Sequence, residues 1–334
     1  MVRSLFEPLE PDLLYMFVLG PGYGESVLIR IPPDIWVVID SFRVNGLAAA
    51  QIVLDKYSAK AAFLVLTHPD QDHVAGVLDL IDQFDEAVIG AINPWRDDTP
   101  RKPNDPVAAI FGTDAKRTLD RILTEWSVSP TRKWETTRGS RQILPNGEIE
   151  SLHPVAPTPV TADAWRNKND LSSAMLLQWY KVRLLLGADV TNITQCWDDI
   201  STNYPGLANH HALKVPHHGS ENGLHESFGT GTRNRAWIIT PYNKGLKLPR
   251  FENNQGIGMS LGYVDAIDLT SLHTRHDREL EAPYHTTRSI VEAGLPCGTD
   301  NEPDYQERGI VIGFDKNGTI SERRYGRGTL RITE

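Results

Sequence analysis

The sequence predicts an α/β protein, because short apolar runs alternate along the chain with segments of helical periodicity. The apolar runs have the length of single buried strands, and turns containing Gly and Pro separate them. The 334 residues are enough for one large α/β domain or two ordinary ones. Hydrophobic residues make up 40% and charged residues 23%, which is ordinary for a globular protein. We expect a single domain over residues 1–334.

The first half opens with three short strands and continues with alternating helices and strands. Each predicted helix carries its apolar residues on one side, and each later strand is a continuous apolar run. The predicted elements are strands at Leu13–Leu19, Ser26–Ile31 and Ile35–Ile39, a helix at Gly46–Tyr57, a strand at Ala61–Leu66, a helix from Val74, a strand at Ala87–Ile92 and a helix at Val107–Trp126.

The second half repeats this style and ends in a hairpin whose turn contains Asn317 and Gly318. Residues 241–285 are long, polar and rich in turn residues, so we expect an insertion that carries specificity. The predicted strands are Met175–Tyr180, Val182–Leu186, His211–Val215, Trp237–Ile239, Gly309–Phe314 and Thr319–Arg324.

Composition limits the function and the compartment. The chain has 34 basic and 43 acidic residues, a formal net charge of −9, which argues against a protein that coats duplex nucleic acid by neutralising phosphates. No apolar run approaches the roughly 20 residues that span a bilayer, and the N-terminus has no secretory signal pattern. Cys196 and Cys297 are far apart and form no disulfide framework. We expect a cytoplasmic protein without a membrane partner.

Four side chains that can bind metal lie within six positions after the strand Ala61–Leu66. They are His68, Asp70, Asp72 and His73. On a strand or a helix they could not all face one way, but on a tight loop they can converge. Imidazoles and carboxylates together are good ligands for divalent cations, so the loop predicts a metal site.

Two further groups end apolar strands in the second half. Asp189 follows Val182–Leu186, and His217 with His218 follows His211–Val215. Taken singly, Asp189 has the ordinary interpretation of a cap or turn residue, and a His-His pair that of a structural or solvent-facing one. All three groups, in this order and at strand ends, predict one metal centre built from both halves of the chain.

This pattern resembles the metallo-β-lactamase superfamily, whose signature is His-x-His-x-Asp-His on the loop after a strand. The closest likeness is to the hydrolase domain of ComEC-type DNA-uptake proteins, where the signature reads His-Pro-Asp-x-Asp-His. Later elements of that domain are a strand ending in Gly-Asp and a Val-Pro-His-His-Gly-Ser segment, matched here by Leu184–Asp189 and Val215–Ser220. The likeness covers residues 12–240. It departs at Ala188, inserted before Asp189, and over 241–285, which has no counterpart.

The resemblance implies a four-layer αβ/βα sandwich, with two mixed β-sheets flanked by helices and the site at the sheet edge. It also implies two divalent metal ions. Asp70, Asp72 and Asp189 would bring a charge of about −3, two cations +4, and one metal-bridging hydroxide would neutralise the remainder. Asp70 stands where the family has a second histidine, which favours harder cations, so Zn²⁺ or Mn²⁺ are the expected metals.

Several assignments stay open. His218 is the favoured metal ligand of the pair, with His217 contacting substrate or supporting a ligand, but the reverse is also consistent with the sequence. His153 is a candidate last metal ligand or an ordinary surface histidine. Lys214 is expected to face solvent. The expected catalytic residues are Asp72 and His217, and the candidate substrate-binding residues are Lys244, Lys247, Asn169 and Ser220, where Ser220 could equally cap a helix.

The function that the resemblance implies is a metal-dependent phosphodiesterase or nuclease. Its substrate would be a phosphodiester in DNA or RNA, and its setting a multi-component DNA-processing or defence system with protein partners. Two alternatives fit the same residues. One is a hydrolase of small phosphodiesters, such as a cyclic nucleotide or a choline-type ester, and the other is a non-catalytic interaction module stabilised by metal.

Overall fold

The computed structural model describes residues 5–93, 112–155, 168–229, 235–242, 248–250, 256–271, 289–292 and 308–333. Two large mixed sheets dominate the fold. Six α-helices are seen in the described ranges: α1 Ala49–Lys56, α2 Gln71–Val74, α3 Val77–Gln83, α4 Thr113–Val128, α5 Cys196–Asn203 and α6 Gly256–Leu261.

The first sheet has the strand order β18-β17-β1-β2-β3-β6-β7-β8. Its strands β3, β6, β7 and β8 run parallel, and the others pair antiparallel. The bounds are β1 Leu14–Leu19, β2 Ser26–Ile31, β3 Ile35–Ile39, β6 Ala61–Leu66, β7 Val88–Ala91, β8 Lys133–Glu135, β17 Gly309–Phe314 and β18 Ile320–Tyr325. Between β3 and α1 lies a two-stranded ribbon of β4 Arg43–Val44 and β5 Leu47–Ala48.

The second sheet has the order β16-β19-β15-β14-β13-β12-β11-β10-β9. Here β12, β13, β14 and β15 run parallel, so each sheet contains a parallel run whose carboxyl ends share one edge. The bounds are β9 Arg141–Leu144, β10 Gly147–Ser151, β11 Met175–Trp179, β12 Val182–Leu186, β13 Ala212–Lys214, β14 Ala236–Ile239, β15 Ala266–Leu269, β16 Ser289–Glu292 and β19 Leu330–Thr333.

Three hydrophobic clusters define four layers. The central cluster joins the inner faces of the two sheets, for example Val18 and Ile29 with Leu184 and Ile238. A second cluster packs α1, α3 and α4 on the outer face of the first sheet, and a third packs α5 and α6 on the second. Strand β1 is buried on both faces, since its alternate residues belong to different clusters. The predicted four-layer αβ/βα sandwich is therefore confirmed.

Parts of the fold differ from the prediction. The stretch after α4 supplies β8 and β9, which the sequence did not reveal, and then β10, where the sequence indicates a strand near Ile149. Residues 266–269, within the predicted insertion, form β15 between β14 and β19, and are therefore integral to the second sheet. Among the described residues, no helix combines the length and apolar character that crossing a membrane requires.

Candidate metal centre

Four strand ends bring the predicted site together. The loops after β6, β12, β13 and β3 place His73, Asp189, His218 and Asp40 in one buried region. All four strands belong to the parallel runs, so their carboxyl ends meet where the two sheets face each other. The chain thus joins residues from its two halves, as the sequence predicts.

Asp40 fixes the shape of the His/Asp loop. It lies in a left-handed turn (φ 57°) directly after β3, and its side chain is buried. Its Oδ1 accepts a hydrogen bond from the Thr67 backbone N–H at 2.8 Å, and its Oδ2 accepts one from the Thr67 hydroxyl at 2.6 Å. The same Oδ2 lies 2.7 Å from His73 Nδ1. One carboxylate therefore holds both the start and the end of the loop.

Three imidazoles surround one carboxylate oxygen. The Nε2 atoms of His68, His73 and His218 lie 3.9, 3.4 and 3.4 Å from Asp189 Oδ2. The Nε2 atoms of His68 and His73 are buried and have no hydrogen-bond partner, which is costly unless another group satisfies them.

The opposite ring nitrogens are already engaged. His218 Nδ1 donates to the Thr240 carbonyl at 2.9 Å, and His73 Nδ1 donates to Asp40. His68 Nδ1 contacts the hydroxyls of Thr67 at 3.1 Å and Ser172 at 3.3 Å. A histidine whose Nδ1 donates in this way presents the Nε2 lone pair, which is the arrangement found behind metal-binding imidazoles.

The spacing of these atoms suits a cation. Ligand atoms bound at about 2.0–2.2 Å to a tetrahedral ion lie roughly 3.3–3.6 Å from one another. Asp72 Oδ2 lies 3.2 Å from His218 Nε2 and 3.6 Å from His73 Nε2, and both imidazoles lie 3.4 Å from Asp189 Oδ2. These four distances between His73 or His218 and the two carboxylates lie in or close to the range that ligands of one cation show.

His68 and Asp70 lie in the same region with wider spacing. His68 Nε2 lies 4.0 Å from Asp70 Oδ2 and 3.9 Å from Asp189 Oδ2. Asp70 Oδ1 is paired with Lys168 Nζ at 2.7 Å, and both side chains are partly exposed. Lys168, which the sequence analysis did not single out, therefore places a positive charge at the mouth of the site.

The two adjacent histidines of the pair have different surroundings. Both have left-handed backbone angles, φ 46° at His217 and 53° at His218, so the chain turns sharply between their side chains. His218 points into the cluster. His217 Nε2 accepts a hydrogen bond from Asn169 Nδ2 at 3.0 Å, and its Nδ1 lies 2.7 Å from Ser220 Oγ. The structure thus brings together three predicted catalytic or substrate residues, His217, Asn169 and Ser220, in one hydrogen-bonded row. Ser220 Oγ also accepts from the Gly223 backbone N–H, which is the capping role that the sequence left open.

His153 borders the cluster. Its Nδ1 hydrogen-bonds the Ser172 carbonyl at 3.0 Å, and the Ser172 hydroxyl accepts from the Asp189 backbone N–H at 3.0 Å. His153 is buried, so the surface interpretation of this residue is wrong, while its role as a metal ligand stays a prediction. Lys244 and Lys247 lie outside the described residues.

Besides Asp40, sequence reasoning missed two buried charged residues of the site. Glu25 and Lys214 form an ion pair in which neither residue is more than 2% exposed. The expectation that Lys214 faces solvent is wrong. Strand β13 lies between β12 and β14 in the interior of the second sheet, and both of its faces are buried. Glu25 follows a tight turn at Gly24, where an added Cβ would lie 2.3 Å from Phe42 Cβ.

Carboxylate neighbours raise the pKa of two of the three imidazoles, whereas burial and the nearby His73 lower the pKa of His68. Burial alone would lower the pKa of His218, but Asp189 and Asp72 outweigh burial and raise it to about 10. His73 behaves likewise, its pKa held well above the usual value by its carboxylate neighbours despite burial. The pKa of Asp189 is held well below its usual range by His218 and His73, although burial opposes this shift. A divalent cation would replace these protons as the positive partner.

Comparison with known proteins gives likenesses of structure only. No protein-family model and no curated protein matches the sequence. The chain is similar to Rm3 metallo-beta-lactamase, at 12% identity over 60% of this chain and 75% of that one (TM-score 0.35). It is similar to metallo-beta-lactamase SMB-1 at 14% identity over 64% and 82% (TM-score 0.37). It is also similar to CmlA, a diiron beta-hydroxylase from Streptomyces venezuelae, at 14% identity over 63% and 35% (TM-score 0.35).

Proposed function

We propose that the protein is a metal-dependent hydrolase that cleaves phosphodiester bonds at this cluster, with Zn²⁺ or Mn²⁺ as the metal. One observation carries the proposal: buried imidazole Nε2 atoms without partners converge on Asp189 Oδ2 beside Asp72, at the spacing of metal ligands. Groups buried in this way are expected to be satisfied by a ligand, and a divalent cation satisfies imidazole and carboxylate together.

We propose that the cluster binds two cations. Asp72, His73, His218 and Asp189 would hold the first, and His68 and Asp70, with Asp189 shared and His153 alongside, would hold the second. Divalent cations bound there would lower the pKa of water toward neutrality and stabilise charge on the phosphate oxygens. The donor set is rich in carboxylates, so it suits cations that prefer oxygen ligands as well as borderline cations. This supports Mn²⁺ as an alternative to Zn²⁺.

The chain's own polar groups supply the remaining chemistry. Lys168 at the mouth can contact a non-bridging phosphate oxygen, since its ammonium already lies on the exposed side of Asp70. Asn169 and Ser220 hold the His217 ring between them, so that His217 is positioned at the edge of the cluster next to His218. Burial lowers the pKa of His217, and Asn169 and Ser220 occupy both of its ring nitrogens, so a substrate would have to displace one of these partners before the ring could exchange a proton.

Nucleic-acid strands are the first substrate class we propose, on the likeness of the motifs to the hydrolase domain of ComEC-type proteins. A small phosphodiester is the second class, because the same ligands and the net charge of −9 suit it equally. The experiment combines metal analysis of the purified chain with a panel of plasmid DNA, single-stranded DNA, RNA and a chromogenic phosphodiester, assayed with Zn²⁺ and with Mn²⁺.

The matched variant for this panel is Asp189→Asn, which keeps the shape of the side chain and removes its charge. We expect about two metal ions per chain, hydrolysis of at least one nucleic acid, and a loss of roughly 100-fold or more in Asp189→Asn. Intact nucleic acid beside turnover of the small ester would assign the second class. Bound metal with no hydrolysis of any member would leave the interaction module instead.

A further inference from the structure

A fully buried ion pair lies directly behind the metal cluster. Glu25 Oε2 contacts Lys214 Nζ and accepts a hydrogen bond from the Thr240 hydroxyl at 2.6 Å. Lys214 also donates to the Ala188 carbonyl at 3.2 Å. Buried ion pairs are weak contributors to stability, because removing both charges from water costs about as much as their attraction returns. Stability therefore gives no sufficient reason for this pair.

The position of the pair relates it to the site. Glu25 Oε2 lies 3.8 Å from His218 Nδ1, and Lys214 Nζ lies 4.0 Å from Asp189 Oδ1. Glu25, His73, Asp189 and His218 offer ligand atoms that all lie within 4.8 Å of one another. By distance alone, Glu25 is thus a possible metal ligand. The ammonium of Lys214 and the hydroxyl of Thr240 bind its carboxylate instead.

The two carboxylate oxygens of Asp189 have different neighbours. Oδ2 faces the three imidazoles, whereas Oδ1 is buried without a hydrogen-bond partner and has the Lys214 ammonium as a nearby charge. A positive charge on that side neutralises Glu25 and leaves Asp189 as the carboxylate presented to the imidazoles. The arrangement keeps the ligand charge at about −3, the value that two divalent cations and one hydroxide balance.

We infer that Lys214 is a positioning residue that holds Glu25 out of the metal-ligand set and balances its charge. The inference rests on the proposed metal centre and deepens it, since it defines which carboxylates the centre excludes. It requires opposite effects from the two members of the pair. Removing the Glu25 charge leaves an uncompensated ammonium near Asp189, which opposes cation binding. Removing the Lys214 charge frees an anionic carboxylate beside the cations, which favours binding.

The test is a double-variant cycle on the full chain, with Glu25→Gln, Lys214→Met and the combined variant. The dissociation constants for Zn²⁺ and Mn²⁺ are measured by competition with a chromogenic chelator, so the readout does not depend on activity. We expect Glu25→Gln to weaken binding by about 10- to 100-fold and Lys214→Met to tighten it by about tenfold. The combined variant should return to within about threefold of the wild type, because both charges are gone.

Controls separate the possible failures. Thr240→Val removes a hydrogen bond of Glu25 without a change of charge and should alter affinity by less than about threefold. Circular dichroism of the metal-free variants checks folding, and if Lys214→Met does not fold, the combined variant decides, because affinity close to that of the wild type is expected only if Glu25 is not itself a ligand. Shifts of both single variants in one direction, or no shift in Glu25→Gln, would overturn the inference while leaving the metal centre. A wild-type chain that binds no metal would overturn both.

Discussion

Strand β13 has a pair of histidines at each of its ends, and the two pairs have opposite roles. At its amino end, His210 Nδ1 donates to the Leu207 carbonyl at 2.9 Å and its Nε2 accepts from Trp237 Nε1 at 3.1 Å. Both ring nitrogens are thus used within the protein. Burial, with the nearby Arg235 charge, lowers the pKa of His210 to about 4, so this ring is neutral and structural.

At the carboxyl end, His218 Nδ1 donates to the backbone carbonyl of Thr240, and its Nε2 faces Asp72 and Asp189. It is as buried as His210, yet its pKa is raised to about 10. The comparison teaches that neither the dipeptide nor burial decides what a histidine does. Carboxylates surround His218 at one edge of the parallel run, whereas the charges nearest His210 at the other edge are those of Arg235 and Arg183.

The largest expected effect comes from changing one histidine of each pair. His218→Gln removes a metal-facing nitrogen and should weaken Zn²⁺ binding by roughly 100-fold or more while the fold persists. His210→Gln should leave the Zn²⁺ dissociation constant within about twofold, but lower the free energy of unfolding by about 1–3 kcal/mol, because Trp237 Nε1 loses its buried acceptor. Chelator competition and urea unfolding measure the two quantities. Equal loss of metal affinity in both variants would contradict the assignment of His218 to metal binding and of His210 to a structural role.

A second test contrasts two buried carboxylates. Asp40 supports His73 and the His/Asp loop, whereas Asp268 pairs with Arg323 and Arg331 on strands at the other edge. Asp40→Asn should weaken metal binding by about 10- to 100-fold, as expected when the carboxylate behind a ligating histidine is lost. Asp268→Asn should destabilise the protein without changing metal affinity. Unchanged metal affinity in Asp40→Asn would show that the loop is held by other contacts.

Much of this architecture can be predicted from the sequence, because short local segments determine many of its elements. Continuous apolar runs gave β1, β2, β3 and β6 within a residue of their observed bounds, since strands in parallel or covered sheets bury both faces. The cluster followed from metal-binding residues directly after such runs. In contrast, β9 is a short edge strand with exposed positions, so its sequence lacks the apolar signal.

The unpredicted part of the site depends on contacts between distant residues. The left-handed turn at Asp40 directs its side chain toward Thr67 and His73. No local sequence pattern predicts that direction. Glu25 and Lys214 meet only because the two sheets stack. A lysine in a central strand, where both faces are buried, is the one signal that could have revealed a buried charge pair.

A third test uses pH to separate the acidic edge from the rest of the protein. In the metal-free chain, the raised pKa of His218 gives stability that is complete below its unfolded value of about 6.5 and is lost as pH rises toward about 10. The lowered pKa values of Asp72 and Asp189 give stability that is present above about pH 4 and lost as pH falls below it.

The melting temperature of chelator-treated protein should therefore decline from pH 6.5 to 9. Saturating Zn²⁺ should reverse this slope, because metal binding releases the imidazole protons and strengthens as pH rises. His218→Gln should lessen the metal-free decline, with His73 responsible for the remainder, while His210→Gln, at the other edge, should leave the decline unchanged. A metal-free melting temperature that rises over this range in the wild type would contradict the charge assignment.

The smallest effect is expected at the mouth of the site, where charges are partly exposed. The ion pair of Lys168 with Asp70 is partly exposed to solvent, so it contributes at most about 1 kcal/mol to stability. Lys168→Met should therefore leave the melting temperature nearly unchanged and raise KM for a phosphodiester by about two- to tenfold, with a smaller change in kcat, since the ammonium meets the substrate and not the reacting bond. Lys133→Met is the matched control, because Lys133 pairs with Glu135 on the edge strand β8. A loss confined to kcat, or equal effects of the two variants, would remove Lys168 from substrate binding and leave it a partner of Asp70 alone.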